Sequence, residues 1–227
     1  MKPNRWIAGA ALLAALGAIT ALAVRGDRPS ISVRAPEQRP TLALLTSLPL
    51  VFGEGFGLEG GGSATLTRLE QRYKVVPISV ADSASLNGRH LLLMAHPRAQ
   101  PAEALVELDR WVRDGGRVLL LADPLLSRES ARPPGDPLRP PPAFADTGLL
   151  AHWGVRLSEG NDRGVPVDSP SPGQLASKRC RIADGGFVAR CSIGKGRATI
   201  IADADFLNDE QSNLDYLMTA LARLESR

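Results

Sequence analysis

Short runs of apolar residues without polar alternation constrain the fold of this chain most strongly. They fall at residues 41–48, 90–95, 117–122 and 197–202. A strand with one face in water alternates apolar and polar side chains, whereas a strand buried on both faces is apolar throughout. Amphipathic helical patterns separate several of these runs, as at residues 102–114. The sequence therefore predicts an α/β domain with a flavodoxin-like, mostly parallel sheet and helices on both faces.

The chain divides into three parts by composition. Residues 1–25 are predicted to be a membrane anchor or signal segment, and the polar residues 26–40 a tether. Residues 41–227 form the predicted α/β domain. Within it, residues 128–142 are rich in proline and arginine, which indicates an excursion over the surface.

Residues 6–24 form an unbroken apolar run that follows Lys2 and Arg5. As a helix it would be about 28 Å long, close to the thickness of the hydrocarbon layer. It fits an uncleaved signal anchor, but also a signal peptide cleaved after Ala23, where a small-x-small pattern occurs. A buried core helix is the third alternative. We expect a single-pass protein of the bacterial inner membrane whose body faces the periplasm.

The charge of the chain is concentrated at its start. Lys2, Arg5 and Arg25 precede the first acidic residue and account for the whole formal net charge of +3. The rest of the chain is formally neutral. A basic nucleic-acid-binding surface is therefore not predicted, and nucleic acid is not an expected partner.

The two cysteines flank a predicted β-hairpin. Gly185 and Gly186 suit the centre of a two-residue type I′ turn, which places Cys180 opposite Cys191. As a hydrogen-bonded pair their Cα atoms would lie about 5.5 Å apart, within disulfide range. We predict a disulfide, which requires an oxidising compartment; two reduced thiols are the alternative. Zinc is not expected, because there are only two thiols and no nearby histidine.

Candidate functional residues follow the predicted strands. In a parallel sheet, ligands bind at the carboxyl ends of the strands. The polar residues there are Ser47, His96, Asp123, Asp203 and Asp205. Asp123, Asp203 and Asp205 are the ligand-binding candidates, and no metal is predicted because the acids lack the EF-hand order. Ser47, His96 and Asp123 are the residue types of a nucleophilic triad and are the candidates for catalysis.

A glycine motif occurs between the first two predicted strands. Gly55, Gly57 and Gly60 match the dinucleotide pattern G-x-G-x-x-G, with Asp82 near the position of a ribose-binding acid. The motif should directly follow a strand and open a helix, but several residues intervene and the glycines at 60–62 would break the helix start. We expect a loop here rather than a dinucleotide site, and we predict no cofactor.

Three stretches together carry a family resemblance. They are LLLMAHP at 91–97, ALVELDRWVRDGGRVLLLADP at 104–124 and GRATIIADADFL at 196–207. In this order they resemble the extracytoplasmic domain of gliding-motility-type auxiliary proteins of ABC transport systems. That domain is similar in fold to class I glutamine amidotransferases. The resemblance extends over most of residues 41–207 and implies a membrane-tethered accessory subunit whose partners are an ABC permease and an ATPase.

Two departures from the resembled families limit what is implied. Amidotransferases of this fold carry a nucleophilic cysteine at a strand–helix elbow, and this chain has none there. Longer relatives end in a second membrane helix, whereas this chain ends after an amphipathic helix. We therefore expect a non-catalytic accessory or binding domain. An α/β hydrolase-type enzyme that uses the carboxyl edge of the sheet is the alternative.

Overall fold

The computed structural model describes residues 31–52, 62–159, 173–207 and 212–226. The strands of this part of the chain are β1 (Thr41–Thr46), β2 (Lys74–Ile78), β3 (Leu91–Ala95), β4 (Arg117–Leu121), β5 (Val155–Ser158), β6 (Gln174–Ser177), β7 (Arg181–Ala183), β8 (Val188–Ile193) and β9 (Gly196–Ile201). Its helices are α1 (Ala64–Glu70), α2 (Ser83–Leu86), α3 (Ala102–Arg113), α4 (Leu149–His152) and α5 (Ser212–Ser226).

The apolar runs form the central sheet. Its strand order is β2-β1-β3-β4-β9-β8-β7. The first five strands in this order are parallel, and β8 and β7 extend the sheet in antiparallel pairing. Among the parallel strands the order is that of flavodoxin-like sheets, in which the order of strand addition reverses between β1 and β3. The prediction of a mixed α/β fold with a mostly parallel sheet is confirmed.

Two apolar layers cover the sheet, one on each face. Along β1 successive residues alternate between them: Leu42 and Leu44 belong to one layer, Ala43 and Leu45 to the other. Helices α1 and α5 contribute to the first layer, and helices α3 and α4 to the second. Because both faces are covered, β3 is buried along its whole length.

A second, two-stranded sheet lies beside the central one. Strands β5 and β6 pair antiparallel, with Val155 opposite Ser177 and Leu157 opposite Leu175. This pairing is not predicted from the sequence. The four residues of β6 include one buried side chain, Leu175, so they carry no alternating pattern.

The predicted hairpin and its disulfide are present. Gly185 and Gly186 both have positive φ, 66° and 102°, as a type I′ turn requires. Ile182 pairs with Ala189 in the predicted register, and Cys180 is bonded to Cys191. The prediction of a disulfide is confirmed. One detail differs: β7 begins after Cys180, and the two Cα atoms are 4.4 Å apart rather than the expected spacing of a hydrogen-bonded pair.

The proline-rich residues 128–142 contain no helix or strand and return to their starting point. At the two ends of this excursion, the Leu126 N–H donates to the Pro142 carbonyl at 2.8 Å and the Phe144 N–H to the Asp123 carbonyl at 2.7 Å. Inside it, the Arg132 guanidinium lies 3.5 Å from the Asp136 carboxylate. The excursion therefore leaves and rejoins the domain just after β4.

The amino-terminal predictions fall mostly outside the described residues. No helix in the described part of the chain is long and apolar enough to cross a membrane. Residues 6–24 are not described, so the membrane helix stays a prediction. Of the predicted tether, residues 31–40 are described, and they lie against the domain: the Arg34 N–H donates to the Gln71 carbonyl at 2.9 Å.

Candidate functional site at the carboxyl edge

The loops that leave β1, β3, β4 and β9 meet at the carboxyl edge of the sheet. The Thr46 hydroxyl donates to the Ala95 carbonyl at 2.8 Å, and the Ser47 hydroxyl to the His96 carbonyl at 2.5 Å. These bonds join β1 and β3 at the point where the strand order of the sheet reverses. Since ligands of doubly wound sheets bind at such a reversal, this edge is the candidate functional site.

His96 is the most constrained residue of the edge. Its side chain is fully buried and its φ is +46°, a left-handed conformation that few non-glycine residues adopt. Its Nε2 lies 2.9 Å from the Pro141 carbonyl, so Nε2 carries the proton and donates. Nδ1 is buried and bonds to no described residue. The ring therefore fastens the excursion to the end of β3.

Burial lowers the pKa of His96. The hydrogen bond to Pro141 and the negative charges of Asp123 and Asp205 act in the opposite direction but do not cancel the effect of burial. The imidazole is consequently neutral at neutral pH, with one lone pair on Nδ1.

The candidate catalytic residues lie at one edge but do not form a triad. The Ser47 hydroxyl is bonded to the backbone of His96, and the His96 ring is bonded to Pro141. Asp123 accepts from the N–H groups of Leu125 and Ala204, both at 2.9 Å. A triad requires that the base contacts the nucleophile and the acid orients the base. In the described residues neither hydrogen bond is present.

The three predicted ligand-binding carboxylates lie close together. One oxygen from each of Asp123, Asp203 and Asp205 lies within 4.8 Å of the others. Asp203 accepts from the Asp205 N–H at 2.7 Å, and Asp205 accepts from the Ser127 N–H at 3.0 and 3.1 Å. Carboxylate oxygens are the ligands that hard cations prefer. Here each carboxylate also accepts backbone N–H groups and so stabilises the loops after β4 and β9.

The pKa of Asp203 is raised to about 6, mainly by burial. The charges of Asp123 and Asp205 also contribute to the rise, and the hydrogen bond from the Asp205 N–H opposes it. The cluster therefore holds a proton more readily than an exposed aspartate does.

The residues of the glycine motif give no second site. Gly55, Gly57 and Gly60 lie outside the described residues. Asp82, the proposed ribose-binding acid, is the N-cap of α2 and accepts from the Ser85 N–H at 2.7 Å. Hydrogen bonds from Ser85 lower the pKa of Asp82, as expected for a capping carboxylate.

Some residues of the edge carry no functional signal in the sequence. Pro141 contributes through its carbonyl, which every residue possesses. Phe52, Leu125 and Leu138 lie on loops that leave this edge and are exposed by 81%, 54% and 64%. Their exposure depends on how the loops fold, and a count of apolar residues does not reveal it.

The fold and the edge define a class: a mixed α/β domain with a mostly parallel sheet and polar residues gathered where its strands end. The family described as "ABC-type uncharacterized transport system" matches residues 39–161, more than half of the chain. The chain belongs to this family, which implies association with an ABC-type transport system. The matched range includes Ser47, His96 and Asp123 and ends before Cys180 and Asp203.

Several solved structures resemble this chain at low sequence identity and with TM-scores below 0.5. Exo-beta-1,4-mannosidase Op5Man5 from Opitutaceae bacterium strain TAV5 is 12% identical (TM-score 0.45) over 83% of this chain, which spans about a third (36%) of the mannosidase. Cytoplasmic Protein STM1381 from Salmonella typhimurium LT2 is 12% identical (TM-score 0.47) over 81% of this chain and 99% of its own. A thua-like protein from Bacteroides uniformis ATCC 8492 is 10% identical (TM-score 0.40) over 81% and 91%. No curated protein matches the chain.

We predict that His96 makes the stability of the domain fall in mild acid. Burial lowers its pKa, so the unfolded chain, in which histidine titrates near about 6.5, binds the proton first. The free energy of unfolding should therefore fall as the pH drops below about 6.5. His96→Asn, which tolerates the left-handed backbone, should weaken this dependence when denaturant unfolding is measured across the range. Exposed His90→Asn is the control and should keep it; an unchanged slope in His96→Asn would refute the assignment.

We predict that Asp203 has the opposite effect on the pH dependence of stability: it makes the free energy of unfolding fall as the pH rises. Because its pKa is raised to about 6 in the folded state, its ionisation above that pH destabilises the fold. Asp203→Asn keeps an oxygen for the Asp205 N–H and removes the charge. We expect it to raise the free energy of unfolding by about 1–2 kcal/mol near neutral pH, after allowance for partial exposure, and to change it little near the unfolded-state pKa of about 4. Exposed Glu70→Gln serves as the control. A similar effect of Asp203→Asn at both pH values would contradict the prediction.

Proposed function

We propose that this chain is a membrane-anchored, extracytoplasmic accessory subunit of an ABC-type transport system, which binds a ligand or a partner subunit at its carboxyl edge and catalyses no reaction. The observation that carries the proposal is the family match over residues 39–161. Its partners would be the permease and ATPase subunits of the transporter.

The proposed location rests on two features. The apolar run at residues 6–24 is long enough to span a bilayer as a helix. The Cys180–Cys191 disulfide is typical of proteins in oxidising compartments, such as the bacterial periplasm, and rare in the cytosol. Together they support a single-pass protein of the inner membrane whose body lies in the periplasm.

The non-catalytic role is supported by what the polar residues of the edge already do. Ser47, His96 and Asp123 hydrogen-bond to backbone groups rather than to one another. The chain has two cysteines, and both are in the disulfide, so neither serves as the nucleophile of an amidotransferase. We therefore propose an amidotransferase-like fold that has a binding role.

The carboxyl edge also offers apolar contact area. Phe52 and Leu125 extend large apolar side chains into solvent on the loops after β1 and β4. Exposed apolar groups of this size favour contact with another surface, because burial removes them from water. We propose that this area contributes to the contact with the transporter.

Co-purification tests the association. The full chain, tagged at its carboxyl end and extracted from its native membranes in mild detergent, should retain permease and ATPase subunits. Leu125→Asp should lower their recovery by roughly tenfold, because a charge would be buried in the contact. Val106→Asp is the matched control, since Val106 is similarly exposed on α3, and it should not change the recovery. Clean purifications without any transporter component would refute the proposal.

The thiol state tests the location. Cells quenched in acid and treated with an alkylating reagent should yield protein with no modified cysteine, because the disulfide persists in the periplasm. A sample reduced before alkylation provides the control and should gain two labels by mass. Two labels without prior reduction would place the body in a reducing compartment and contradict the periplasmic proposal.

A further inference from the structure

Basic side chains gather at the amino edge of the central sheet, the end at which the five parallel strands begin. Backbone hydrogen bonds join the segments that meet at this edge. The Arg117 N–H donates to the His90 carbonyl at 3.0 Å, and the Lys195 N–H donates to the Arg113 carbonyl at 2.8 Å. The basic row, as we name it, consists of Lys74, Arg89, Arg113, Arg117, Lys195 and Arg197.

Part of the basic row is held by interactions within the domain. Arg113 pairs with Asp109 at 2.7 Å, and Arg117 donates to the carbonyl of Glu225. Lys74 and Lys195 are exposed, and their ammonium groups bond to no residue in the described part of the chain. These two lysines therefore leave their charges available for an external partner.

The helix dipole explains only some of these cations. Basic residues are favoured in the last turn of a helix, which accounts for Arg113 at the end of α3. Lys74 is the first residue of β2, and Lys195 lies in the turn between β8 and β9. Neither belongs to a helix, although Lys195 adjoins the carboxyl end of α3 through its bond to Arg113, where the dipole also favours a cation.

The polypeptide enters the domain at the same edge. The Arg34 guanidinium lies 2.7 Å from Glu225, and Arg72, just before β2, donates to the Ser32 carbonyl at 3.3 Å. In sequence, the apolar run at residues 6–24 ends shortly before Ile31. The intervening residues extend at most about 25 Å, so an anchored chain would keep the amino edge close to the membrane surface.

We propose that the basic row docks on anionic phospholipid headgroups and turns the carboxyl edge away from the bilayer. The inference rests on the proposed membrane anchor at residues 6–24. Headgroup phosphates are complementary in charge to Lys74 and Lys195, and each basic residue near an anionic surface is worth about fivefold in binding. The opposite edge carries the carboxylates Asp123, Asp203 and Asp205 together with the arginines of the proline-rich excursion.

Energy transfer to the lipid surface tests the docking. The full chain is reconstituted into phosphatidylcholine vesicles with or without about 30% phosphatidylglycerol, with an acceptor dye on the headgroups. A donor dye is attached at Ser192→Cys, beside the basic row, or at Ser127→Cys, at the carboxyl edge. Both positions are exposed, and labelling under oxidising conditions leaves the native disulfide intact.

On anionic vesicles we expect stronger transfer from position 192 than from position 127. The difference should disappear on phosphatidylcholine alone and in about 0.5 M NaCl, where the Debye length is only about 4 Å. Lys74→Glu and Lys195→Glu should each lower the ratio of docked to undocked protein by at least about fivefold. Arg98→Glu, an equal change of charge at an exposed site beyond β3, should leave that ratio unchanged.

Equal transfer from both positions, or the same transfer on neutral vesicles, would overturn the docking. Displacement of the basic row from the vesicles by duplex DNA would also overturn it, if free anionic vesicles at the same phosphate concentration do not displace the row. The row would then bind nucleic acid rather than lipid.

Loss of the chain from the vesicles in a high-salt wash would count against the anchor instead. A salt-sensitive preference of that released protein for anionic over neutral vesicles would still support the basic row as a lipid-binding surface.

Discussion

The inner strands of the central sheet are covered by apolar layers on both faces, and the rest of the structure depends on this constraint. Strands β3 and β4 are buried under helices on both sides, and removal of their apolar side chains from water is the dominant favourable term in folding. Polar side chains of these inner strands can therefore reach solvent, or one another, only where the strands begin or end. The chemistry of the domain is confined to its two edges, and the loops decide which polar groups remain available there.

At the carboxyl edge the polar side chains hold loops together. Asp123 joins the loop after β4 to the loop after β9 through two backbone N–H groups, and His96 joins the proline-rich excursion to β3. A catalytic acid or base must exchange protons with a substrate, and groups committed to buried backbone partners are not free to do so. The same bonds make the edge a firm platform, because they restrict the loops that present Leu125 and Leu138. A binding role therefore agrees better with these contacts than a hydrolase triad does.

Local patterns predict much of this fold, and distant contacts explain the rest. Apolar runs locate β1 and β9 to within about two residues, and the Gly185-Gly186 turn sets the disulfide register, since a hairpin is determined by its own residues. Polar residues after strands likewise predict that Asp123 and Asp203 approach each other. The partner of His96, however, is a backbone carbonyl 45 positions away, which no side-chain pattern identifies. Only the structure therefore shows which polar groups of this edge are already bonded to the backbone.

Net charge is a poor guide to the surface of such a domain. The body is formally neutral, yet three carboxylates meet where strands end, and the exposed lysines Lys74 and Lys195 lie where strands begin. The dipole of α3 favours Arg113 and the adjoining Lys195, whereas Lys74 begins a strand. Because the chain also enters beside Lys74, the proposed anchor would join the domain at the edge that carries these lysines. The proposed contact surface would then lie at the opposite edge, where Phe52 and Leu125 are exposed.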